Sequence, residues 1–218
     1  MPRRDLFPIP YMIDPSTFGL DDVVTFCVAA LIAVLVNAEG QAYIATLLGD
    51  SRPGAKDRLH FNAFLHLDPL GTLSFLVGGV GWPKRVDVNP GRFQHPTLYV
   101  ILTRCAGPFA NFLMANIAAS IIWILGKFSI DSRVFMMVLA VNLTVTVYNV
   151  LPVPPFAGGF LISALLPEKS ERLRRVYEQV GPYLLLALLL ADRLLDGQVI
   201  TVYVGPYVQR LFALLIEP

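Results

Sequence analysis

Three polar side chains interrupt a long apolar stretch of this sequence, and their spacing could support metal chemistry. Asn37 and Gln41 are four residues apart, with Glu39 between them. Residues spaced by four lie on the same face of an α-helix. With histidine at both positions, and glutamate directly after the first, such a helix would bind zinc and activate a zinc-bound water. Here the ligand positions carry amides and the base position carries Ala38.

The amide side chains are poor replacements for zinc ligands. Zinc in proteins is held by imidazole nitrogen, thiolate or carboxylate. An amide nitrogen offers no lone pair and an amide oxygen is a weak, neutral donor, so Asn37 and Gln41 cannot stand in for two histidines. Without a metal there is no acidified water for hydrolysis. The sequence therefore predicts the frame of a zinc site with no metal and no cofactor in it.

The ionisable residues nearby do not restore this chemistry. Glu39 lies about 100° around the helix from the base position, so it is expected to point away from the amide face. His60, His66 and His95 form no i, i+4 pair with another ligand, and we expect no relocated zinc site. An ionisable residue inside a membrane span is a functional candidate by default. Glu39 could alternatively pair with Arg104, which lies deep in another apolar run.

The composition indicates a membrane protein. The 218 residues are 55% hydrophobic and only 15% charged, with a mean hydropathy of +0.61. A soluble domain usually carries about 25% charged residues. The formal net charge of +1 gives no reason to expect a nucleic-acid partner. We interpret residues 1–218 as a single membrane domain.

The apolar segments predict an all-α polytopic membrane protein. Crossing a bilayer takes about 20 mostly apolar residues. Residues 59–80 are apolar but broken by Asp68, Pro69 and several glycines. We expect a re-entrant or hairpin element there, which a bilayer tolerates only under protein cover. The predicted transmembrane spans are 22–48, 97–125, 133–151, 176–191 and 199–216.

The distribution of lysine and arginine predicts the orientation. If residues 59–80 do not cross, loops 50–60, 82–95 and 167–175 share one face and carry ten Lys and Arg residues, against five on the other face. Because cytoplasmic loops are enriched in these residues, the three loops are expected in the cytoplasm and the N-terminus outside. We expect an integral protein of the bacterial inner membrane.

Five sequence blocks have the order and spacing of a known family. Residues 61–72 (FNAFLHLDPLGT) are similar to N-P-x-x-H-x-D-P-x-G-T, and residues 81–90 (GWPKRVDVNP) to G-W-x-K-P-V-x-V-N-P. Residues 107–111 (GPFAN) are similar to A-G-P-x-A-N, and residues 149–159 (NVLPVPPFAGG) to N-L-L-P-x-P-P-L-D-G. With residues 41–50 (QAYIATLLGD), these blocks resemble the site-2 protease family of intramembrane zinc proteases over residues 25–165.

The resemblance implies a site-2-protease-like helical bundle without its catalytic residues. In the family two histidines and an aspartate bind zinc, and a glutamate activates water. The matching positions in this chain are Asn37, Gln41 and Ala157 for the ligands and Ala38 for the base. All four are changed, which implies a catalytically inactive member. His66 falls in a family block where the resemblance implies a structural role.

Three functional hypotheses follow. The first is a pseudoprotease that binds or scaffolds membrane-protein partners or their transmembrane segments within the bilayer. The second is a fixed structural subunit of a larger membrane complex, and the third is an active metalloprotease with displaced ligands. The polar helix face could hold a partner or simply be hydrogen-bonded internally, and the prolines could shape an extended cleft or only end a helix. The candidate partner-binding residues are Asn37, Glu39, Gln41, His66, Asn149, Pro152 and Pro154.

Overall fold

A computed structural model describes residues 19–51 and 59–216, and this part of the chain contains α-helices and no strands. The all-α prediction is confirmed for these residues. Short 3₁₀ turns lie at Ala63–His66, Pro90–Arg92 and Glu168–Ser170. The α-helices are α1 (Leu20–Leu47), α2 (Pro69–Gly78), α3 (Pro96–Lys127), α4 (Arg133–Tyr148), α5 (Ala157–Leu165), α6 (Glu171–Leu194) and α7 (Thr201–Ile216).

Local sequence signals explain how α2 begins and ends. The carboxylate of Asp68 caps the helix by accepting a hydrogen bond from the Gly71 N–H at 2.8 Å, and Pro69 occupies the first turn, where no N–H is needed. Gly79 ends the helix in the left-handed conformation at φ 70°. With ten residues, α2 is about 15 Å long, which is half the thickness of a bilayer core.

Helices α1, α3 and α4 pack against one another and contain much of the core. Small residues bring α1 and α3 close together: a Cβ on Gly40 would lie 2.8 Å from the Cβ of Ala110 and 3.0 Å from the backbone oxygen of Ala106. Such small-residue contacts are typical of helix pairs in membranes. Helix α2 packs on α6, and α7 packs on α4.

Two helices, α1 and α3, are long and apolar enough to cross a membrane. Helix α3 has 32 residues and therefore spans about 48 Å. One of its faces exposes large apolar side chains at helical spacing, an arrangement that is rare on soluble monomers. These residues are Leu102, Phe109, Leu113, Ile117 and Ile124.

The described helices differ from the predicted spans in three places. Helix α4 ends at Tyr148, three residues before the predicted end of its span, and turns and bends follow it through the proline-rich segment. Helix α6 starts at Glu171, before the predicted residue 176. Residues 59–80 form a 3₁₀ turn followed by α2. Whether these elements cross or re-enter a membrane stays a prediction.

Part of the charge pattern used for orientation lies outside the described residues. These basic residues are Arg3, Arg4, Arg52, Lys56 and Arg58. The cytoplasmic placement of loops 50–60, 82–95 and 167–175 therefore stays a prediction.

Candidate functional site

A chain of buried amides connects α1, α3 and α4 at the site of the altered zinc frame. We define the amide network as Asn37, Gln41, Asn111 and Asn142. Gln41 Nε2 donates to Asn37 Oδ1 at 2.8 Å, and Asn37 Nδ2 donates to Asn111 Oδ1 at 2.6 Å. Asn111 Nδ2 donates to Asn142 Oδ1 and to the Ala33 carbonyl, both at 2.9 Å. The side chains of Asn37 and Gln41 are therefore hydrogen-bonded to each other, and Asn37 is also hydrogen-bonded to α3.

A glycine on α3 makes room for this network. A Cβ on Gly107 would lie only 2.4 Å from Asn37 Oδ1 and 2.9 Å from Gln41 Nε2. Side chains do not approach so closely, so the amides can lie against α3 only because residue 107 has no Cβ. The block GPFAN thus supplies both the gap and, four residues later, Asn111 as a partner.

Arg104 extends the network with a positive charge. Its Nη1 donates to Gln41 Oε1 at 2.8 Å and its Nη2 to the Val86 carbonyl at 3.1 Å. The guanidinium also lies 4.9 Å from the ring centroid of Phe160, in cation–π range. Arg104 is only 5% exposed, and both of these hydrogen-bond acceptors are neutral.

The residues at the positions that the resemblance matches to zinc ligands do not fit a zinc ion. The Asn37 amide is committed to Asn111, and the Gln41 oxygen already accepts a guanidinium N–H. Ala157 offers a methyl group in place of a carboxylate. A dication here would face the buried charge of Arg104 with no anionic ligand to offset the repulsion. No hydrolytic step can be derived through zinc at these positions.

A cleft opens beside this network. Its volume is about 20 Å³, which is room for about one water molecule, and it opens toward solvent. Its wall combines the two α1 amides with three cations, of which Arg85 is paired with Glu178 at 2.7 Å. The lining residues are Asn37, Gln41, Trp82, Pro83, Lys84, Arg85, Arg104, Asn149, Pro155, Ala157 and Phe160.

The segment after α2 positions the cationic side of the cleft. Lys84 N–H donates to the His66 carbonyl at 2.6 Å, next to an isolated antiparallel bridge between Leu67 and Pro83. The indole N–H of Trp82 donates to Asp68, which also caps α2. The sequence blocks 61–72 and 81–90 are therefore held against each other, and the second block forms the cleft wall.

The predicted partner-binding residues separate into different places. Asn149 lines the cleft and accepts the Ala157 N–H at 3.1 Å, so it also holds the start of α5. Pro152 and Pro154 instead pack on α6: the Tyr177 hydroxyl donates to the Pro152 carbonyl at 2.5 Å, and a Cβ on Gly181 would lie 2.5 Å from the Pro154 carbonyl oxygen. Through these contacts with α6, the two prolines hold the turn between α4 and α5 in place.

Glu39 does not pair with Arg104 but with two histidines. Its Oε1 lies 3.0 Å from His66 Nε2 and 3.9 Å from His60 Nδ1, and it accepts the backbone N–H groups of His60 and Phe61 at 3.1 and 2.8 Å. We call Glu39, His60 and His66 the histidine–glutamate cluster. One ligand atom from each lies within 4.8 Å of the others. The cluster residues do not line the cleft.

Sequence reasoning missed several of these residues. Arg104 is visible in the sequence as a charge inside an apolar run, but its partner on α1 is Gln41 and not the alternative, Glu39. No sequence pattern relates His60 to Glu39, because the two residues are 21 positions apart and do not share a helix. Arg85 lies within the block 81–90 and Phe160 directly follows the block 149–159. Both line the cleft, and their place in or beside these blocks is the sequence signal for that position.

The comparisons with known proteins agree with the resemblance at a coarse level. The chain is 29% identical over 149 residues to "Putative zinc metalloprotease YwhC" of Bacillus subtilis (strain 168), covering 64% of this chain and 68% of that protein. The similarity supports a site-2-protease-like relationship. No family model and no solved structure matches the chain.

Proposed function

We propose that this chain is a polytopic, catalytically inactive site-2-protease-like protein of the bacterial inner membrane that holds a membrane-protein segment in its cleft. The supporting observation is the buried guanidinium of Arg104 bonded to Gln41, at the position of a family zinc ligand. A small cleft lies beside it, which a bound segment would have to widen. In this proposal loops 50–60, 82–95 and 167–175 face the cytoplasm.

The chemistry of the cleft supports binding over hydrolysis. Peptide hydrolysis by the family's route needs a metal to acidify water and a carboxylate to accept its proton. Ala38 cannot accept a proton, and the guanidinium of Arg104 occupies hydrogen-bonding space near the ligand positions. The same guanidinium, with Lys84 and Arg85, can attract negative charge.

The expected occupant is an extended segment next to a partner's transmembrane helix, carrying at least one acidic residue. An acidic side chain could compete with Glu178 for Arg85, an ion pair that is 56% exposed on its arginine side. The segment from Trp82 onward, without helix or strand, provides a wall along which an extended chain could lie. Lipid would enter the cleft through its headgroup, because Lys84, Arg85 and Arg104 line it.

Site-specific photocrosslinking tests this proposal. A photoreactive phenylalanine analogue at Phe160, in the cleft, is compared with one at Trp123, which is 62% exposed on the opposite end of α3. We expect a defined set of membrane-protein adducts from residue 160 in native membranes, reduced by Lys84→Glu. Equal adduct patterns from residues 160 and 123, or no protein adduct from 160, would contradict the proposal.

The alternative of a fixed structural subunit predicts a different result in the same experiment. A subunit would co-purify at constant stoichiometry, and its adducts would come from outer helix faces such as the exposed apolar face of α3 as well as from the cleft. A binder would co-purify in variable amounts and would be crosslinked mainly from the cleft.

The alternative of displaced metal ligands is favoured by one observation, the histidine–glutamate cluster. Its single carboxylate, Glu39, would serve as a ligand, which leaves the cluster itself without a general base. Metal-dependent cleavage of a transmembrane reporter substrate, abolished by His60→Ala, would support this alternative. We expect no cleavage.

Restoring the family residues tests the role assigned to Arg104. A chain carrying N37H, A38E, Q41H and A157D regains anionic groups at the site, but Arg104 should still weaken the binding of an additional zinc ion. A charge of +1 about 5 Å from a dication, at an effective dielectric constant of about 20, costs on the order of 7 kcal/mol. Adding Arg104→Leu should then allow about one further zinc per chain. Equal zinc content with and without Arg104 would contradict this reasoning.

A further inference from the structure

We propose that the histidine–glutamate cluster is a Zn²⁺-binding site, separate from the cleft and independent of the proposed partner binding. The cluster joins α1 to the segment before α2 through Glu39, His60 and His66. It would hold the ion with one carboxylate oxygen and two imidazole nitrogens. The role that follows is to clamp the segment at the 3₁₀ turn Ala63–His66 onto the first helix.

The ligand atoms lie within 4.8 Å of one another, so a zinc ion would require them to draw together by up to about 1.4 Å. Zinc bound at 2.0–2.1 Å in a tetrahedron places its ligand atoms about 3.4 Å from one another. Glu39 Oε1 lies 3.0 Å from His66 Nε2 and 3.9 Å from His60 Nδ1. The two imidazole rings are neighbours, 4.9 Å apart between centroids and tilted by 52°, and so they are not stacked flat.

The carboxylate of Glu39 has an unsatisfied oxygen. Its Oε1 takes the N–H groups of His60 and Phe61 and the contact with His66, whereas its Oε2 is buried and has no hydrogen-bond partner. Glu39 is 7% exposed. A buried anionic oxygen without a partner is costly. A cation bound at Oε1, next to both imidazoles, would lower this cost by placing a positive charge beside the whole carboxylate.

The ligand set selects the metal. Two histidines and one glutamate are a set that zinc uses in proteins, and the imidazole donors disfavour Mg²⁺ and Ca²⁺, which prefer oxygen ligands. His60 has a one-third-exposed side chain, which gives the ion a path from solvent. A water molecule would complete the tetrahedron at that side.

The alternative explanation is that Glu39 is only a hydrogen-bond acceptor. In that case Glu39 Oε1 accepts a hydrogen bond from His66 Nε2–H and two more from the backbone N–H groups of His60 and Phe61. The cluster then holds the turn without an ion. Both explanations predict loss of stability when Glu39 is changed. They differ in what His60 does, because His60 contributes only its backbone N–H to the hydrogen-bonded arrangement and its imidazole to the metal site.

Zinc binding to the full chain in mild detergent, without a histidine tag, separates the two. After chelator treatment and dialysis, we expect about one Zn²⁺ per chain by elemental analysis. Cobalt should give the intense visible bands of a four-coordinate site. His60→Ala should weaken zinc binding at least ten-fold, and Glu39→Gln should do so as well.

The third histidine of the chain supplies a matched control. His95 lies at the start of α3 beside Tyr99, away from the cluster, and His95→Ala should leave zinc binding unchanged. Zinc should also raise the unfolding midpoint of the parent chain but not of His60→Ala, since a ligand stabilises only the state that binds it. No stoichiometric zinc, or zinc binding that survives His60→Ala, would overturn the proposal and leave the partner-binding cleft unaffected.

Discussion

Replacing Asn111 by leucine should destabilise the bundle far more than replacing another asparagine of the same helix. Asn111 is fully buried on α3, and leucine has nearly its shape. The substitution removes the acceptor of the Asn37 amide and the donor to both Asn142 and Ala33. It therefore leaves polar groups on two other helices without partners.

The magnitude follows from the number of bonds. Hydrogen bonds between membrane helices contribute about 0.6 kcal/mol on average and up to about 1.7 kcal/mol. Asn111 makes three of them to α1 and α4, so we expect a loss of about 2–5 kcal/mol in the free energy of unfolding. The matched control is Asn116→Leu, because Asn116 is partly buried and bonds to Phe112 within its own helix. Its loss should stay below about 1 kcal/mol.

Reversible unfolding in mixed micelles of increasing SDS content, followed by far-UV circular dichroism, measures both variants. A difference of 2 kcal/mol corresponds to about a 30-fold change in the unfolding equilibrium constant. If Asn111→Leu and Asn116→Leu fall within about 0.5 kcal/mol of each other, the amide network does not hold the helices together as described.

Three further substitutions test local features by the same unfolding measurement. Gly107→Ala should cost about 1–3 kcal/mol because the new Cβ would lie 2.4 Å from Asn37 Oδ1, whereas Gly126→Ala, with nothing within 4 Å, should be neutral or stabilising; equal effects would refute this. Gly71→Ala should cost about 3 kcal/mol or prevent folding, since its Cβ would lie 2.1 Å from the backbone oxygen of Trp82; a stable variant would contradict this close packing. Asp192→Ala should cost at least about 2 kcal/mol, as the carboxylate accepts three backbone N–H groups at the start of α7; a change below about 0.5 kcal/mol would contradict that assignment.

The sequence predicted the helices well where apolar length decided the outcome. Helices α1 and α3 begin and end within two residues of the segments 22–48 and 97–125. Their length and hydropathy determine the helix boundaries more strongly than individual capping or turn residues do. The end of α4 was less predictable, because turns after Tyr148 depend on how the proline-rich segment packs against α6.

The partners of the polar residues could not be predicted from the sequence. Glu39 and Gln41 are two residues apart, so they point about 160° apart on α1 and a single arginine can reach only one of them. Which one Arg104 reaches depends on how α1 and α3 are rotated against each other. The close contacts at Gly40 and Gly107 set that rotation, and a sequence pattern does not contain it.

The histidine–glutamate cluster was missed for a different reason. Its members come from a helix and from a turn 21 to 27 residues later, so no periodic spacing relates them. Phe61 has a φ of 49°, a left-handed backbone conformation unusual for a residue with a side chain, and this bend lets two successive N–H groups reach Glu39. Only a three-dimensional arrangement reveals such a cluster.

The amide network also restricts how the apolar helices α1, α3 and α4 can pack against one another. Apolar helix faces tolerate sliding and rotation, because one leucine contact resembles the next. Moving α4 along α3 by one helical turn, about 5.4 Å, would carry Asn142 out of reach of Asn111 and leave both in an apolar environment. The four amides thus specify a single alignment of the three helices, because only that alignment satisfies the hydrogen bonds of all of them.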